Sequence, residues 1–230
     1  MTGDRGNSIG ITPERIIEYY PQLYHMAEAG TWESIRKYGL LSTSALLDLF
    51  EKKGAERRRI ESAHRPDSIR VEHQDHGVAV VRDQKPMRES ALLACLEGMS
   101  PQQWYETLNK RVFFWPTRER LLGLLSARAY RGREHCVITV DTARLLERHI
   151  DKVTLSPINS GSTIYRPQPR GCDTFLPPHE YPFEERRKKR GIKNAVAELA
   201  VDYSVSDVAD LAIRVDEMIG TKIIRALYKA

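Results

Sequence analysis

The apolar residues of this chain come in short runs, and the length of these runs is the feature that most restricts its possible folds. The runs CVITV (136–140), GVAVV (77–81) and VAELAVD (196–202) are rich in β-branched side chains, which is typical of buried strands. Helical segments of uneven length separate them, and no short hairpin accounts for the connections. This order predicts an α+β fold in which residues 1–230 form a single domain around a small β-sheet with flanking helices.

Composition favours a folded protein without a membrane-spanning segment. Hydrophobic residues make up 41% of the chain and charged residues 29%, the balance of a folded protein rather than of a disordered tail. No apolar run approaches the roughly 20 residues that span a bilayer, and the segment MTGDRGNSIGITPERI lacks the apolar centre of a signal peptide. We therefore expect a cytoplasmic protein with no membrane partner. The three cysteines, Cys95, Cys136 and Cys172, have no C-x-x-C spacing and are expected to be buried or half-buried thiols.

Capping signals surround the first predicted strand, LYHMA (23–27). Thr31 is placed to begin a short amphipathic helix, and Gly39 is placed to end it in the left-handed conformation. Thr43 or Ser44 is then the expected cap of the next helix. The chain is thus predicted to turn sharply just after the strand that carries His25.

The rest of the chain alternates between strand and helix patterns. A helix is predicted to start at the Thr12 cap and to stop before Pro21. Later elements are a helix capped by Ser100, an aromatic strand at RVFFWP (111–116), a helix over residues 117–131, a long loop over residues 154–183 and a helix beginning near Ser206.

Basic residues favour a polyanionic partner. The chain has a formal net charge of +5 and a pI of about 9.1. Its cations cluster in ERRRIESAHRPDSIR (56–70) and most densely in the run from Arg186 to Arg190. Such runs attract phosphate-bearing partners and release counterions when they bind them. A solvated surface loop is the alternative interpretation of the same run.

Three polar residues stand out because each lies on or beside an apolar strand. They are His25 after LY, Arg118 after FFWPT, and Glu198 in the middle of AVAELAVD. A buried carboxylate costs several kcal/mol unless it is paired or hydrogen-bonded. Glu198 is therefore expected to face solvent, to be paired or to line a cleft.

Several familiar sites are absent from the sequence. It contains no G-x-G-x-x-G, G-x-x-x-x-G-K-[ST] or G-x-S-x-G motif, so the usual phosphate-binding loops and the nucleophile elbow are excluded. The histidines of EHQDH (72–76) suggest a metal site, but no H-E-x-x-H spacing or Cys/His pair accompanies them. A surface loop is the preferred interpretation, and no metal is expected.

Three segments resemble motifs of the DarT-type DNA ADP-ribosyltransferases. They are LYHMAEAGTWESIRKYGLLS (23–42), RVFFWPTRERLL (111–122) and AVAELAVDYSVSDV (195–208), and they occur in the order found in that family. Two features depart from the family pattern. Thr117 separates the proline from Arg118, which leaves Arg120 as a second candidate, and residues 51–105 form a longer and more basic insertion.

The resemblance implies a fold and a co-substrate. The fold is a split mixed or antiparallel β-sheet whose cleft holds NAD. Glu198 and Arg118 are the implied catalytic residues, with Glu198 stabilising positive charge on the sugar and acting as general base. The NAD contacts implied are His25, Tyr38, Ser42, Thr43, Phe114 and Arg118.

The resemblance also implies an acceptor. Mono-ADP-ribosylation of a base in nucleic acid is expected, with single-stranded DNA as the first choice and release of nicotinamide. A toxin or phage-defence role with a neutralising antitoxin protein is the implied setting. Nucleic-acid contacts are expected at Tyr165, Arg166, Arg170, Arg186, Arg187, Lys188, Lys189 and Arg190. The alternatives are an NAD-dependent RNA 2′-phosphotransferase and a non-catalytic nucleic-acid-binding module.

Overall fold

Small β-sheets, most of them antiparallel, and short helices make up the fold, as a computed structural model that describes residues 10–164 and 167–230 shows. The α+β class predicted from the sequence is confirmed. The helices within the described ranges are α1 Pro13–Tyr19, α2 Trp32–Tyr38, α3 Thr43–Leu49, α4 Gly54–Glu61, α5 Glu89–Leu93, α6 Pro101–Asn109, α7 Arg118–Leu125, α8 Thr142–His149, α9 Phe183–Arg190, α10 Ile192–Ala195 and α11 Val208–Leu211. The strands are β1 Gln22–Glu28, β2 Leu40–Leu41, β3 Ile69–His73, β4 Gly77–Val81, β5 Leu96–Glu97, β6 Arg111–Phe114, β7 Glu134–Asp141, β8 Val153–Ser156, β9 Arg170–Gly171, β10 Glu198–Asp202, β11 Ser204–Val205, β12 Ala212–Ile219 and β13 Lys222–Lys229.

Two antiparallel sheets meet at one point. The first has four strands in the order β1-β7-β12-β13, and the second has three in the order β6-β10-β8. At their junction Tyr24 on β1 and Trp115 just after β6 exchange two backbone hydrogen bonds, of 3.0 and 2.8 Å. Because a single residue pair joins them, the two strands do not form a continuous ladder.

The largest apolar core joins both sheets to helices α1, α8 and α9, and Leu23, Leu145 and Phe183 are among its buried members. Strand β10 contributes Leu199 to this core, while Ala200 packs in a separate cluster on the other face. Successive side chains of a strand point to opposite faces. Glu198 therefore shares the face of Ala200 and points away from the main core.

The helix signals near the N-terminus are largely confirmed. The side chain of Thr12 caps α1, and α2 ends at Gly39 with φ of +84°. Two caps differ from the prediction. The hydroxyl of Thr31 donates to the carbonyl of Glu28 instead of capping α2. Ser42, rather than Thr43 or Ser44, caps α3, because its extended backbone lets its oxygen accept from a backbone N–H of the first turn.

The C-terminal prediction was partly wrong. The helix expected near Ser206 is the four-residue α11, and the chain then continues as β12 and β13. Strand β12, AIRVDEMI (212–219), lies beside β7, where backbone pairing and burial outweigh any helical preference of the sequence. The predicted loop over residues 154–183 begins inside strand β8.

Residues 51–105, predicted as a basic insertion, contain α4, the β3–β4 pair, α5, β5 and most of α6. With α3 they form a small apolar cluster of their own that includes Phe50, Ile60 and Val71. Val78 was expected in a buried strand but is 46% exposed, because its strand pairs on one side only. Cys172 is likewise exposed rather than buried.

No helix in the described parts of the chain combines the length and the apolar character needed to cross a membrane.

The turn after α2 provides a stability test. Gly39→Ala forces a side chain into the left-handed region and places its Cβ 2.5 Å from Ser206 Cα. We expect a loss of about 3 kcal/mol or more in the free energy of unfolding, measured by urea denaturation. Gly30→Ala is the matched control, since Gly30 also has a positive φ but has no atom within 4 Å of the added Cβ. It should lose about 1 kcal/mol, and equal losses in the two variants would contradict the close packing at Gly39.

Candidate functional site

A cavity of about 480 Å³ lies beside the junction of the two sheets. This volume falls within the range of about 300–1,000 Å³ that is usual for small-molecule sites. The site residues predicted from the sequence that line it are His25, Tyr38, Ser42, Thr43 and Glu198. Residues far apart in the chain, on different sheets, therefore face one space.

His25 lies at the junction, where its Nδ1 is 2.8 Å from the carbonyl oxygen of Phe113. Burial lowers its pKa to about 4, and the charge of Arg82 acts in the same direction. The ring is therefore neutral at pH 7. Because a carbonyl oxygen only accepts, Nδ1 carries the proton and Nε2 keeps a lone pair. His25 can thus accept a hydrogen bond from a hydroxyl group in the cavity.

Glu198 is 3% exposed and is held by one backbone amide. The N–H of Ser160 donates to both carboxylate oxygens, at 3.2 and 3.1 Å. Burial raises the pKa of Glu198 to about 7, although the Ser160 hydrogen bonds and the charges of Arg120 and Arg170 oppose the shift. Both protonation states are therefore populated near neutral pH, as suits a group that transfers a proton.

Arg170 supports Glu198 from the other side of Ser160. Its guanidinium donates to the carbonyl of Ser160 at 3.0 Å and to the carbonyl of Gln168 at 3.1 Å. Arg170 and Ser160 are 2% and 1% exposed. Arg170, predicted to bind nucleic acid, is therefore a buried residue whose side chain holds the loop over Glu198.

Another part of the cavity wall comes from the first helices and their turns. The hydroxyl of Ser42 accepts from the backbone N–H of Ala45, which leaves its own proton free to donate. Tyr38 and Thr43 are half-buried beside it. The Tyr38 ring packs edge-on against His76, with ring centroids 5.3 Å apart. This wall offers hydroxyl groups at the rim of an otherwise apolar surface.

Two predicted NAD contacts lie elsewhere. Arg118 is exposed and does not line this cavity. It is the first residue of α7, directly after the Thr117 cap. Arg120, the second candidate, is half-buried, and its charge acts on Glu198. Phe114 is 0% exposed and belongs to the main core, where its ring centroid is 5.8 Å from that of His25. It packs behind the histidine and does not reach the cavity.

The basic run is helix α9 and not a loop. Two of its cations are paired within the helix, Arg187 with Glu184 at 2.6 Å and Lys189 with Glu185 at 2.6 Å. Arg186, Lys188 and Arg190 form no salt bridge with a described residue, so the helix keeps a net positive charge. Tyr165 and Arg166, also predicted to bind nucleic acid, lie outside the described residues.

Sequence reasoning missed a group of buried polar residues on the same cavity. Arg65 is 5% exposed and donates to Asn109 Oδ1 at 3.0 Å and to the carbonyl of Arg82 at 3.2 Å. All three residues line the cavity. Burial lowers the pKa of Arg65 to about 10, which still leaves it charged at neutral pH. Arg65 belongs to the basic cluster of residues 56–70, a sequence pattern that indicates surface charge, so its burial was not predicted.

The comparison with known families covers most of the chain. Residues 21–212 match DUF7002, which is described as a family of unknown function. The chain belongs to the DUF7002 family. No curated protein and no solved structure matches it. The DUF7002 span runs from β1 to the end of α11, so it includes His25, Ser160 and Glu198 together with residues 51–105.

Burial of Glu198 in this DUF7002 protein has a consequence for stability. Its folded pKa is raised above the ordinary value, so the protonated form is favoured and stability is lost as pH rises from about 4.5 through about 7. Glu198→Gln removes that loss. The quantity to compare is the unfolding free energy of Glu198→Gln minus that of wild type, measured by urea denaturation. We expect this difference to be about 3 kcal/mol more positive at pH 8 than at pH 4. A difference that does not vary with pH would show that the carboxyl is not held in this way.

The support from Arg170 can be tested through the same titration. Arg170→Met removes both a nearby positive charge and the hydrogen bond to the Ser160 carbonyl, so the pKa of Glu198 should rise further. To read this pKa, Glu198→Gln is introduced into wild type and into Arg170→Met, and the resulting change in unfolding free energy is measured across pH. The pH range over which that change varies gives the pKa of Glu198 in each background. Arg128→Met is the control background, since Arg128 is exposed and makes no hydrogen bond or ion pair with a described residue. An unchanged pKa in Arg170→Met would remove Arg170 from this role.

Proposed function

We propose that this protein is an NAD-dependent mono-ADP-ribosyltransferase that modifies a base in nucleic acid, single-stranded DNA foremost, and releases nicotinamide. One observation carries the proposal. His25 on the first sheet and Glu198 on the second line the same cavity. These are the two residues for which the sequence resemblance implied an NAD ribose contact and catalysis.

The lining of the cavity suits the ribose and the planar ring of an NAD molecule. His25 Nε2 accepts and the Ser42 hydroxyl donates, which together complement the hydroxyl groups of a ribose. Leu46, Phe50 and Val80 line an apolar part of the same space, suited to a planar ring. No cluster of metal-ligating side chains occurs within the described residues, and the proposed chemistry uses no metal.

NAD supplies a sugar–nitrogen bond whose cleavage sends nicotinamide away with the bonding electron pair. The ionised Glu198 stabilises the positive charge that develops on the sugar, because it lies in a buried site where water does not screen it. The Ser160 amide keeps both carboxylate oxygens in place. As the acceptor nitrogen bonds to the sugar, Glu198 takes the proton that this nitrogen loses.

The basic surface supports a nucleic-acid acceptor. Helix α9 carries cations that form no salt bridge with a described residue, and its C-terminal Arg190 donates to the carbonyl of Pro157 at the start of the loop that holds Glu198. A strand of nucleic acid bound along this helix would meet the loop that holds Glu198 at Arg190. The toxin or phage-defence role and the neutralising protein partner rest on the sequence resemblance alone.

Incubation with labelled NAD and a panel of oligonucleotides tests the reaction. The panel holds single- and double-stranded DNA, single-stranded RNA and 2′-phosphorylated RNA, and the readouts are nicotinamide release and the mass of each oligonucleotide. We expect a mass increase on single-stranded DNA that Glu198→Gln reduces by about 10²–10⁴-fold. Glu147→Gln, an exposed carboxylate without a described partner, should retain full activity.

Three results would contradict the proposal. The first is wild-type activity in Glu198→Gln. The second is loss of phosphate from 2′-phosphorylated RNA with no modified DNA, which would indicate a phosphotransferase. The third is oligonucleotide binding without any nicotinamide release, which would indicate a non-catalytic module.

A further inference from the structure

A second cavity of about 300 Å³ adjoins the first. Asn159 lines both, and the consecutive residues Ala197 and Glu198 line the second and the first respectively. The two cavities are thus separated by the residues at the start of β10 and by the loop that follows β8. The two cavities are therefore neighbours across the chain segment that carries Glu198.

Three arginines line this second cavity, namely Arg120, Arg170 and Arg190, and no Asp or Glu is among the described residues that line it. We call it the arginine cavity. The three side chains come from α7, β9 and α9, which are remote from one another in sequence. Folding therefore brings together positive charges from three separate parts of the sequence, of which only Arg190 belongs to the basic run of residues 186–190.

The described hydrogen-bond partners of these arginines are all uncharged. Arg120 donates to the Asn194 side chain at 3.0 Å, and Arg190 donates to the Pro157 carbonyl at 3.2 Å. Arg170 donates to backbone carbonyls, as described above. None of the three forms a salt bridge with a described residue, in contrast to Arg187 and Lys189 on α9. Like charges held together in this way repel, and a bound anion relieves the repulsion.

The chemistry of the lining suits a phosphate group. A guanidinium presents a planar fork of donors that matches phosphate oxygens, and the guanidiniums of Arg120 and Arg190, which come from different helices, can share the oxygens of one tetrahedral group. The polar side chains of Asn159 and Ser162 add neutral donors to the same space. A cavity of about 300 Å³ has room for a phosphate and part of the nucleotide attached to it.

We propose that the arginine cavity binds a phosphate group of the nucleic-acid acceptor and holds the neighbouring nucleotide beside Glu198. This phosphate is bound and is not consumed. Arg120 and Arg190 contact it, while the buried Arg170 contributes charge and keeps the loop in place. The identity of the acceptor rests on the proposed function, whereas the binding of phosphate does not.

Titration with inorganic phosphate at constant ionic strength tests the cavity without NAD. The readout is the NMR shift of the backbone amides of residues 159–162 and of the Arg120 side chain. We expect Arg190→Gln, a substitution at an exposed residue, to weaken binding about tenfold, and Arg120→Gln to do the same. Lys188→Gln is the matched control, because Lys188 is exposed on the same helix but does not line the cavity.

Lys188→Gln should leave the phosphate affinity within about twofold of wild type, since distant exposed charges are largely screened. Equal weakening in Lys188→Gln and Arg190→Gln would overturn the proposal, because it would indicate attraction by the whole helix. Shifts confined to other parts of the protein, or no saturable shift at all, would overturn it too.

Competition distinguishes the source of the phosphate. Single-stranded DNA should displace inorganic phosphate from the arginine cavity, and Arg190→Gln should raise KM for the oligonucleotide at least about fivefold with little change in KM for NAD. DNA that binds without displacing phosphate would refute the acceptor assignment. If Glu198→Gln and wild type both fail to release nicotinamide while phosphate still binds at Arg120, the proposed function fails and the phosphate site stands.

Discussion

The hydrogen bond from the Ser160 amide to the Glu198 carboxylate is the interaction on which the rest of the site depends. A carboxyl group that is almost fully buried needs a partner in the folded state, and this amide reaches both of its oxygens. The partner in turn is held by Arg170, whose guanidinium binds the carbonyl of the same residue. A buried arginine, a loop amide and a strand carboxylate therefore form one connected unit, and none of them could be removed without leaving another with an unmet hydrogen bond.

The junction of the two sheets forms the cavity that Glu198 lines. Strand β1 uses its backbone to pair with β7 on one side and meets β6 only at the Tyr24–Trp115 pair on the other. Beyond that pair the side chain of His25, rather than a backbone group, contacts the Phe113 carbonyl. A continuous ladder would have closed this space. The interrupted pairing leaves room for a cavity and positions a neutral histidine on its wall, and residues 51–105 enclose it further through the buried hydrogen bond from Arg65 to α6.

Local signals were sufficient for the parts of the protein that obey local rules. The α+β class, strand β1, the end of α2 at Gly39 and the apolar strand around Glu198 follow from short-range patterns, because caps, turns and strand alternation depend on a few neighbouring residues. The sequence also singled out His25 and Glu198 as polar residues in apolar surroundings. It could not show that α9 is a paired helix, that Phe114 lies in the core, or that Arg120 rather than Arg118 faces inward.

Tertiary structure alone decided which charges meet. Burial of Glu198 against the Ser160 amide, the engagement of Arg170 and the gathering of three arginines in one cavity all involve residues from separate elements. Their energies depend on distance and on exclusion of water, and neither quantity is encoded in a short stretch of sequence. The sequence by itself determined which residues carry charge and which strand holds the carboxylate; only the folded chain determined the surroundings in which those charges act.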